Sequence, residues 1–413
     1  MADIATREAY GRALVELGKK HDFYVLSADL ADSVKVEYFK KEFPERYIEC
    51  GIAEANMIGV AAGIASTGTP AVASSYAMFT AGRGYEQIRN SIAYPNLHVV
   101  IGASHAGVSV GEDGASHQCC EDIALMRVVP NMTVISPCDA IEAALATEAA
   151  LLEVKGPVYL RLARPNTPAV NGEGYRFELG KGVVLADGKD VTIVATGIMV
   201  AKALKARELL KAKGIDAAVI NIHTIKPLDR ELIGKYAKKT ANIVTVEEHS
   251  VIGGLGSAVA EAITETYPCK LTRVGINDTF AFYFFPHVFE AGIPVLMFKL
   301  KLWKKDYHAI PTTIGLTFVI YTAVHFINEF LNRYVAINNI VDYAGNPIFL
   351  NYMYSQKPVV PFLELLWKIV PHEYFYLLLA LPIIALYLSI IYLPEIVSVL
   401  RKKHKAKKTL LAA

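Results

Sequence analysis

Cysteine is scarce in this chain, and its acidic and basic residues nearly cancel. The five cysteines show no paired metal-ligand spacing, which argues against a cysteine metal site and favours a reduced, cytoplasmic setting. The formal net charge of +2 gives no electrostatic basis for nucleic-acid binding. The first seven residues contain no apolar segment, so we expect no secretory signal peptide.

A phosphate-binding loop is also missing. The run Gly253–Ser257 follows a predicted strand, but it has neither the lysine of a Walker motif nor the glycine spacing of a dinucleotide fold. It predicts instead a tight turn before a helix over Ala258–Glu265.

The chain divides into two unlike parts near residue 280. Mean hydropathy is +0.31, and the apolar excess lies almost entirely after residue 280. Tyr374–Leu393 is a run of twenty residues without a charge, long enough to cross a bilayer as a helix, and Thr312–Ile327 is a shorter candidate. Lysine and arginine flank the outer ends of both runs. The positive-inside rule therefore predicts a membrane hairpin within residues 310–400.

Before residue 280, short β-rich runs alternate with longer helical patterns. In the first 165 residues the predicted strands are Phe23–Leu26, Leu97–Gly102, Met132–Ile135 and Val158–Leu160, and the predicted helices are Glu54–Ser66, Gly84–Ala93 and Ala140–Glu153. A second, smaller α/β pattern has predicted strands at Val191–Ala195, Ala217–Ile220 and Ile243–Val246 and a helix over Met199–Lys213. Such alternation indicates parallel sheets covered by helices on both faces.

These patterns predict three domains. The run 165–174 is rich in proline, glycine and asparagine, which is typical of a linker. We therefore expect α/β domains with parallel or mixed sheets over residues 1–168 and 175–280. A helical membrane segment over residues 281–413 would follow them.

Two motifs suggest chemistry. The first, Gly51–Met57, places Glu54 among apolar neighbours, and the second, Gly111–His117, puts an acid and an imidazole in a glycine-rich turn. A carboxylic acid shielded from water holds its proton more tightly than a solvated one, which suits acid–base catalysis. Taken alone, Glu54 is equally consistent with an acid at a helix N-terminus, where it interacts favourably with the helix dipole.

Residues 1–165 resemble the pyrimidine-binding domain of transketolases. The matching pieces, in order, are Ala5–Arg7, Ser27–Leu30, the Glu54 motif, Tyr76–Phe79, His105, Gly111–His117 and Arg161–Pro165. Residues from about 180 to 280 resemble the transketolase C-terminal domain. The resemblance implies a thiamine diphosphate enzyme in which Glu54 activates the aminopyrimidine ring of the coenzyme.

The resemblance also implies roles for five further residues. Tyr76 and Phe79 match the aromatic pair that packs on the pyrimidine ring, although such a pair is also common in protein cores. His105, Asp113 and His117 match the positions that bind the donor sugar. There an aspartate can accept a hydrogen bond from a hydroxyl, and an imidazole can donate to the carbonyl oxygen that becomes an alkoxide. A lone histidine is more often structural.

Three polar residues match the positions that hold the sugar phosphate, namely Arg7, Ser27 and Arg164. A guanidinium suits a phosphate because its planar fork donates two parallel hydrogen bonds. A surface salt bridge or a capped turn is the structural alternative for each of them.

The motif with which thiamine enzymes hold the coenzyme's diphosphate, GDG followed by an asparagine, is missing. Gly111–Gly114 belongs to the sugar motif, and Asp187–Asp190 predicts a turn. No metal ligand is therefore predicted on this chain. The resemblance implies that a partner N-terminal subunit supplies the Mg²⁺ ligands and that two such pairs self-associate into a heterotetramer.

The leading prediction is the C-terminal subunit of a split transketolase of the pentose phosphate pathway, which transfers a two-carbon ketol unit between sugar phosphates. A deoxyxylulose phosphate synthase and a 2-oxo acid dehydrogenase beta-like subunit are alternatives. The run Glu112–His117 favours transketolase over both, although Ala53 and Ala55 replace the Arg and His that often flank the family's glutamate. A membrane-anchored, non-catalytic assembly module is an alternative of another class.

The apolar tail resembles the C-terminal part of the YwaF-like integral membrane proteins, through Asn351–Tyr354 followed by Lys357 and Pro358. The change of character near residue 280 falls inside a domain, where natural fusions are rare. We therefore expect a chimera, with residues 1–280 in the cytoplasm and the tail in the membrane.

Overall fold

The computed structural model describes residues 3–172 and 174–277, together with Phe326, Phe330 and Arg333. Residues 3–277 belong to one compact unit, Met1–Thr279. Apart from the three single residues, the predicted membrane segment and the YwaF-like resemblance lie outside the described residues. Within the described part of the chain, no helix is both long enough and apolar enough to span a membrane.

The first part of the chain builds a sheet covered by helices. Its strands are β1 (Ile4–Ala5), β2 (Tyr24–Ser27), β3 (Tyr47–Glu49), β4 (Ala71–Tyr76), β5 (Val99–Ser104), β6 (Thr133–Ile135), β7 (Val158–Arg161) and β8 (Asn166–Thr167). Its α-helices are α1 (Thr6–Gly18), α2 (Glu37–Glu42), α3 (Glu54–Ser66), α4 (Tyr85–Gln87), α5 (Asp122–Val128) and α6 (Ala140–Leu152). Pro44–Arg46 and Gly111–Asp113 are 3₁₀ turns, and Met78–Arg83 and Ile88–Ala93 are π-helical.

The second part is a smaller α/β layer. Its elements are β9 (Val183–Ala186), β10 (Val191–Ala195), α7 (Met199–Lys211), β11 (Ala217–Asn221), β12 (Thr224–Lys226), α8 (Arg230–Thr240), β13 (Asn242–Ser250), α9 (Leu255–Glu265) and β14 (Lys270–Ile276). The order of its five-stranded sheet is β14-β13-β10-β11-β9. Only β9 runs antiparallel to its neighbour within that sheet.

The seven-stranded sheet has the order β12-β6-β7-β5-β4-β2-β3. The pairs β2–β3, β2–β4, β4–β5, β5–β7 and β6–β7 are all parallel, which confirms the predicted parallel architecture. Every residue of β4 and β5 is buried, as expected for strands with helices on both faces.

Helix α3 begins and ends at the predicted residues. Its first residue, Glu54, follows Ala53, whose extended φ of −147° stops the helix from starting earlier. Met57, Ile58 and Ala61 are fully buried and attach the helix to the sheet. The outer face carries small and polar residues, so the helix is fixed by one apolar stripe.

The two parts are joined more closely than a linker suggests. Strand β12 leaves the second layer and pairs antiparallel with β6, which makes it the edge of the first sheet. The run 165–174, predicted to be a linker, contains β8, which pairs with β1 through Ile4↔Thr167 and Ala5↔Asn166. This pairing joins Asn166 and Thr167 to the start of the chain, within the range predicted for the first domain.

The glycine run 253–257 is only partly a turn, since helix α9 already begins at Leu255. The backbone N–H groups of Leu255 and Gly256, in the first turn of the helix, donate to the carboxylate of Glu247 over 2.6 and 2.8 Å. Burial raises the pKa of Glu247 to about 7, against the lowering effect of these two hydrogen bonds. The start of this helix is therefore satisfied by the chain's own acid.

A buried ion pair crosses the core of the first part. Arg161 Nε donates to Asp122 Oδ2 over 2.8 Å, and both side chains are almost completely buried. Burial alone would lower the pKa of Arg161, but the Asp122 carboxylate raises it on balance. The Tyr159 hydroxyl donates to the same carboxylate oxygen over 3.0 Å.

Replacing Asp122 by alanine is expected to lower the free energy of unfolding by about 3–5 kcal/mol, because Arg161 would stay buried without a counter-charge. Urea denaturation followed by circular dichroism measures this loss. The control is Lys41→Ala, which removes an exposed helical ion pair with Glu37 (2.7 Å) and should cost less than about 1 kcal/mol. Equal small losses in the two variants would contradict the expectation.

Candidate active site

Most of the predicted site residues lie at one edge of the seven-stranded sheet. Ser27 ends β2, Tyr76 ends β4, His105 directly follows β5, and Arg161 ends β7, three residues before Arg164. These four strands are parallel neighbours, so their carboxyl ends meet at the same edge. Ligands of open α/β sheets bind at that edge.

Glu54 lies at the N-terminus of α3 and is 3% exposed. The sequence suggests apolar surroundings for Glu54, but in the structure its carboxylate pairs with an arginine. Arg83 Nη1 donates to both carboxylate oxygens, over 3.1 and 3.3 Å. The guanidinium of Arg83, in turn, lies 4.1 Å from the centroid of the Phe79 ring. Sequence reasoning missed Arg83, although its i+4 spacing from Phe79 is typical of side chains that meet on a helix.

Two histidines and two aromatic residues form a single cluster. The rings of Tyr76 and His105 are stacked with centroids 3.8 Å apart. The Phe79 ring is also stacked on Tyr76, with centroids 5.7 Å apart. The ring of His117 meets Phe79 edge-on at 5.1 Å and Tyr76 at 5.8 Å. The structure therefore places both imidazoles against the aromatic pair, and Arg83 links this cluster to Glu54.

His105 is 1% exposed and has a φ of +57°, which is uncommon outside glycine and often marks functional sites. Its Nε2 lies 3.3 Å from Arg7 Nη1, and its Nδ1 lies 3.0 Å from the Ser104 hydroxyl. Burial first, and then the positive charges of Arg7 and Arg164, lower the pKa of His105 to about 3. The ring is therefore neutral near pH 7. Because arginine can only donate, Nε2 is the acceptor and Nδ1 carries the proton.

Two arginines and one aspartate surround His105. Asp113 Oδ2 lies 3.5 Å from His105 Nε2 and 3.8 Å from Arg164 Nε. The backbone N–H of Ala163 donates to the Thr6 hydroxyl over 2.7 Å, which holds the segments of Arg7 and Arg164 side by side.

The electrostatics of this cluster favour an anion. Burial, and then repulsion from Arg164, lower the pKa of Arg7. Arg7 Nη1 donates to the Ser33 carbonyl over 2.6 Å. Its Nε is buried and has no hydrogen-bond partner among the described residues. An unpaired buried donor beside a second guanidinium suits a phosphate oxygen.

Ser27 lies at the same edge but is completely buried. Its hydroxyl accepts a hydrogen bond from the backbone N–H of Leu30 over 3.4 Å, and its carbonyl accepts one from Cys50 over 2.9 Å. The serine thus orders the loop after β2, which includes Ser33, the backbone partner of Arg7.

Two features of the cluster can be compared with thiamine diphosphate, the coenzyme that the resemblance implies. A buried carboxylate that shares the Arg83 guanidinium with the ring of Phe79 fits the aminopyrimidine ring, which needs an acid and an apolar wall. Within the described residues, no group of three His, Cys, Asp or Glu side chains is placed to hold a metal ion.

Comparisons with known proteins match the same two parts of the chain. Residues 2–170 match the family described as transketolase, pyrimidine binding domain. Residues 180–293 match the transketolase C-terminal domain, and this match extends past residue 280, where the sequence analysis expects the resemblance to end.

Individual relatives match about the same part of this chain. The putative transketolase C-terminal section of Methanocaldococcus jannaschii is 53% identical over 279 residues, which cover 66% of this chain and 87% of that protein. The 6-deoxy-6-sulfo-D-fructose transketolase subunit SqwH of a Clostridium species is 44% identical and is covered to 85%, by 66% of this chain.

A solved structure described as a split gene transketolase, inactive beta4 tetramer, superimposes with a TM-score of 0.63 at 54% identity. The similarity covers 67% of this chain and 91% of that one. The chain therefore belongs to the transketolase family, and it matches the pyrimidine-binding and C-terminal domains of that family.

Proposed function

We propose that this chain is the C-terminal subunit of a split transketolase that transfers a two-carbon ketol unit from a ketose phosphate to an aldose phosphate. The observation that carries the proposal is the meeting of Glu54, the Tyr76–Phe79 wall, two imidazoles and two arginines at one sheet edge. Bound thiamine diphosphate would supply the electron sink that this transfer needs. Each of these site residues then has a separate role.

Glu54 would exchange a proton with the aminopyrimidine ring. Its burial supports this task, because a shielded carboxyl group is protected from bulk water while it holds the proton. Arg83 contacts both Glu54 and Phe79 and is half exposed. Its guanidinium can therefore move away from the carboxylate when the pyrimidine ring packs on Phe79.

His105, Asp113 and His117 would bind the hydroxyl and carbonyl groups of the sugar. His105 is neutral and its Nδ1 proton is directed to Ser104. Its Nε2, which accepts from Arg7 over 3.3 Å, would accept from a sugar hydroxyl instead once Arg7 turns to the phosphate. Arg7 and Arg164 would hold the phosphate at the far end of the sugar. Ser27 would support them through the loop after β2.

A partner N-terminal subunit would supply the diphosphate and Mg²⁺ ligands. Helix α3, which begins at Glu54, supports a partner surface there. Gly59 and Gly63 are exposed on one face of the helix. Among the described residues outside the helix, no atom lies within 4 Å of a Cβ built at either position. Glycine in a helix costs about 1 kcal/mol relative to alanine. Packing among the described residues does not require it, whereas close approach of another backbone would.

Glu54→Gln is expected to lower the turnover number at least about 100-fold, because the amide cannot carry the proton. The assay mixes this chain, a GDG-containing partner subunit, thiamine diphosphate and Mg²⁺, and follows ketol transfer, while coenzyme binding is measured separately and should persist. Glu37→Gln is the matched control, since Glu37 is also the first residue of a helix. Unchanged turnover in Glu54→Gln would refute the proton-transfer role given to Glu54.

His105 is expected to stay uncharged from pH 8 down to about pH 4, because its pKa is lowered to about 3. Ring NMR signals, assigned with His105→Gln, would show no titration near pH 6.5. Because the pKa of His105 in the folded protein lies below that of a free imidazole, the neutral ring contributes to the free energy of unfolding above about pH 6.5. This contribution is lost as the pH falls toward 3. A ring that titrates between about pH 6 and 7 would contradict the lowered pKa of His105.

Gly59→Leu is expected to stabilise this chain alone by about 0.5–1 kcal/mol, because leucine is a much better helix former than glycine. It should also weaken binding to the partner subunit, since its side chain would fill the space left for the partner backbone. Thermal unfolding and analytical ultracentrifugation measure the two effects. Lys205→Leu, on the exposed face of α7, is the control and should leave assembly unchanged. Unchanged partner affinity in Gly59→Leu would remove α3 from the interface.

A further inference from the structure

The end of β13 lies against the loop that carries two of the sugar-binding residues. This loop, residues 107–119, contains Asp113 and His117 and is defined here as the sugar loop. Glu248 of β13 reaches this loop from the second α/β layer, and Glu248 is 8% exposed. One oxygen, Oε1, accepts the backbone N–H of Val108 over 3.0 Å and that of Ser109 over 2.7 Å.

The sugar loop is closed at its base by its own backbone. Gly107 and Cys119 exchange two hydrogen bonds, of 2.8 and 3.0 Å. The Gln118 amide also donates to the Val108 carbonyl over 2.9 Å. Just beyond the loop, the backbone N–H of Ser250 donates to the Cys120 carbonyl over 2.7 Å. Strand β13 therefore holds the chain at both ends of the loop.

Glu248 is itself fixed in place. Its carbonyl accepts a hydrogen bond from Arg161 Nη2 over 2.9 Å, and Arg161 is held by Asp122. Its side chain lies so close to Gly107 that a Cβ there would be 2.5 Å from Glu248 Cδ, and Gly107 has a φ of +80°. The loop can approach the carboxylate this closely only because residue 107 is glycine.

We infer that Glu248 is a positioning residue that holds the sugar loop, so that the second α/β layer contributes to sugar binding in the first. This inference rests on the proposed function for its catalytic consequence. The Val108 and Ser109 N–H groups both donate to this one carboxylate oxygen. Loss of the acceptor would leave two adjacent donors without a partner and allow the loop to move away from His105.

Glu248→Ala is expected to lower kcat/KM for the ketose phosphate about 10- to 100-fold in the assembled enzyme, because small displacements of binding groups have effects of this size. The affinity for thiamine diphosphate should stay unchanged, since Glu54 and Phe79 are untouched. Glu248→Gln keeps an acceptor oxygen and should restore most of the activity. A purely structural role would lower activity and coenzyme affinity together.

Hydrogen–deuterium exchange on this chain alone gives a readout that does not depend on activity. Amide protection within residues 107–119 should fall in Glu248→Ala and be retained in Glu248→Gln. The matched control is Glu261→Ala, which removes another link between the two layers, the ion pair with Arg127 at 2.7 Å, without touching the loop. It should leave both exchange in the loop and kcat/KM unchanged.

The outcomes separate the two proposals. Unchanged loop exchange in Glu248→Ala, or an equal effect of Glu261→Ala, would overturn the positioning role. Absence of ketol transfer by the wild-type chain with its partner would instead overturn the proposed function, while the exchange experiment would still test the hold on the loop.

Discussion

The candidate site depends on the parallel alignment of β2, β4, β5 and β7. In a parallel sheet every carboxyl end lies at the same edge, so residues that are far apart in sequence meet there. Ser27, Tyr76, His105 and Arg164 are brought together in this way. The helices that cover both faces shield the strands from water. The polar groups therefore lie where the strands end, at the carboxyl edge of the sheet.

Charge organises the site as strongly as packing does. Two arginines beside a buried, neutral histidine give a region that favours anions, whereas Glu54 lies at the other end of the aromatic cluster with Arg83. A second ion pair, between Asp122 and Arg161, lies beneath the same edge and contacts the end of β13. The two α/β layers thus meet at the sugar loop, where Glu248 contacts Val108 and Ser109.

Much of the fold could be predicted from local pattern. Helix α3 and strand β10 have the predicted bounds, since each is a continuous apolar or periodic run between clear breaks. Strand β4 was missed because its core residues are small, and its Ser74 is buried through a hydrogen bond with Tyr10 over 2.6 Å. The pairing of β12 with β6 was missed because no local signal shows which sheet a three-residue strand joins.

The sequence by itself determined the family, the parallel α/β class and the identity of the residues at the site edge, because these depend on short motifs and on hydrophobic periodicity. Only the tertiary structure decided that Arg83 pairs with Glu54, that His105 is neutral with its proton on Nδ1, and that Glu248 holds a loop 139 residues earlier in the chain. The physical reason is that burial and hydrogen bonding between distant segments set protonation and position. No local pattern records those distances.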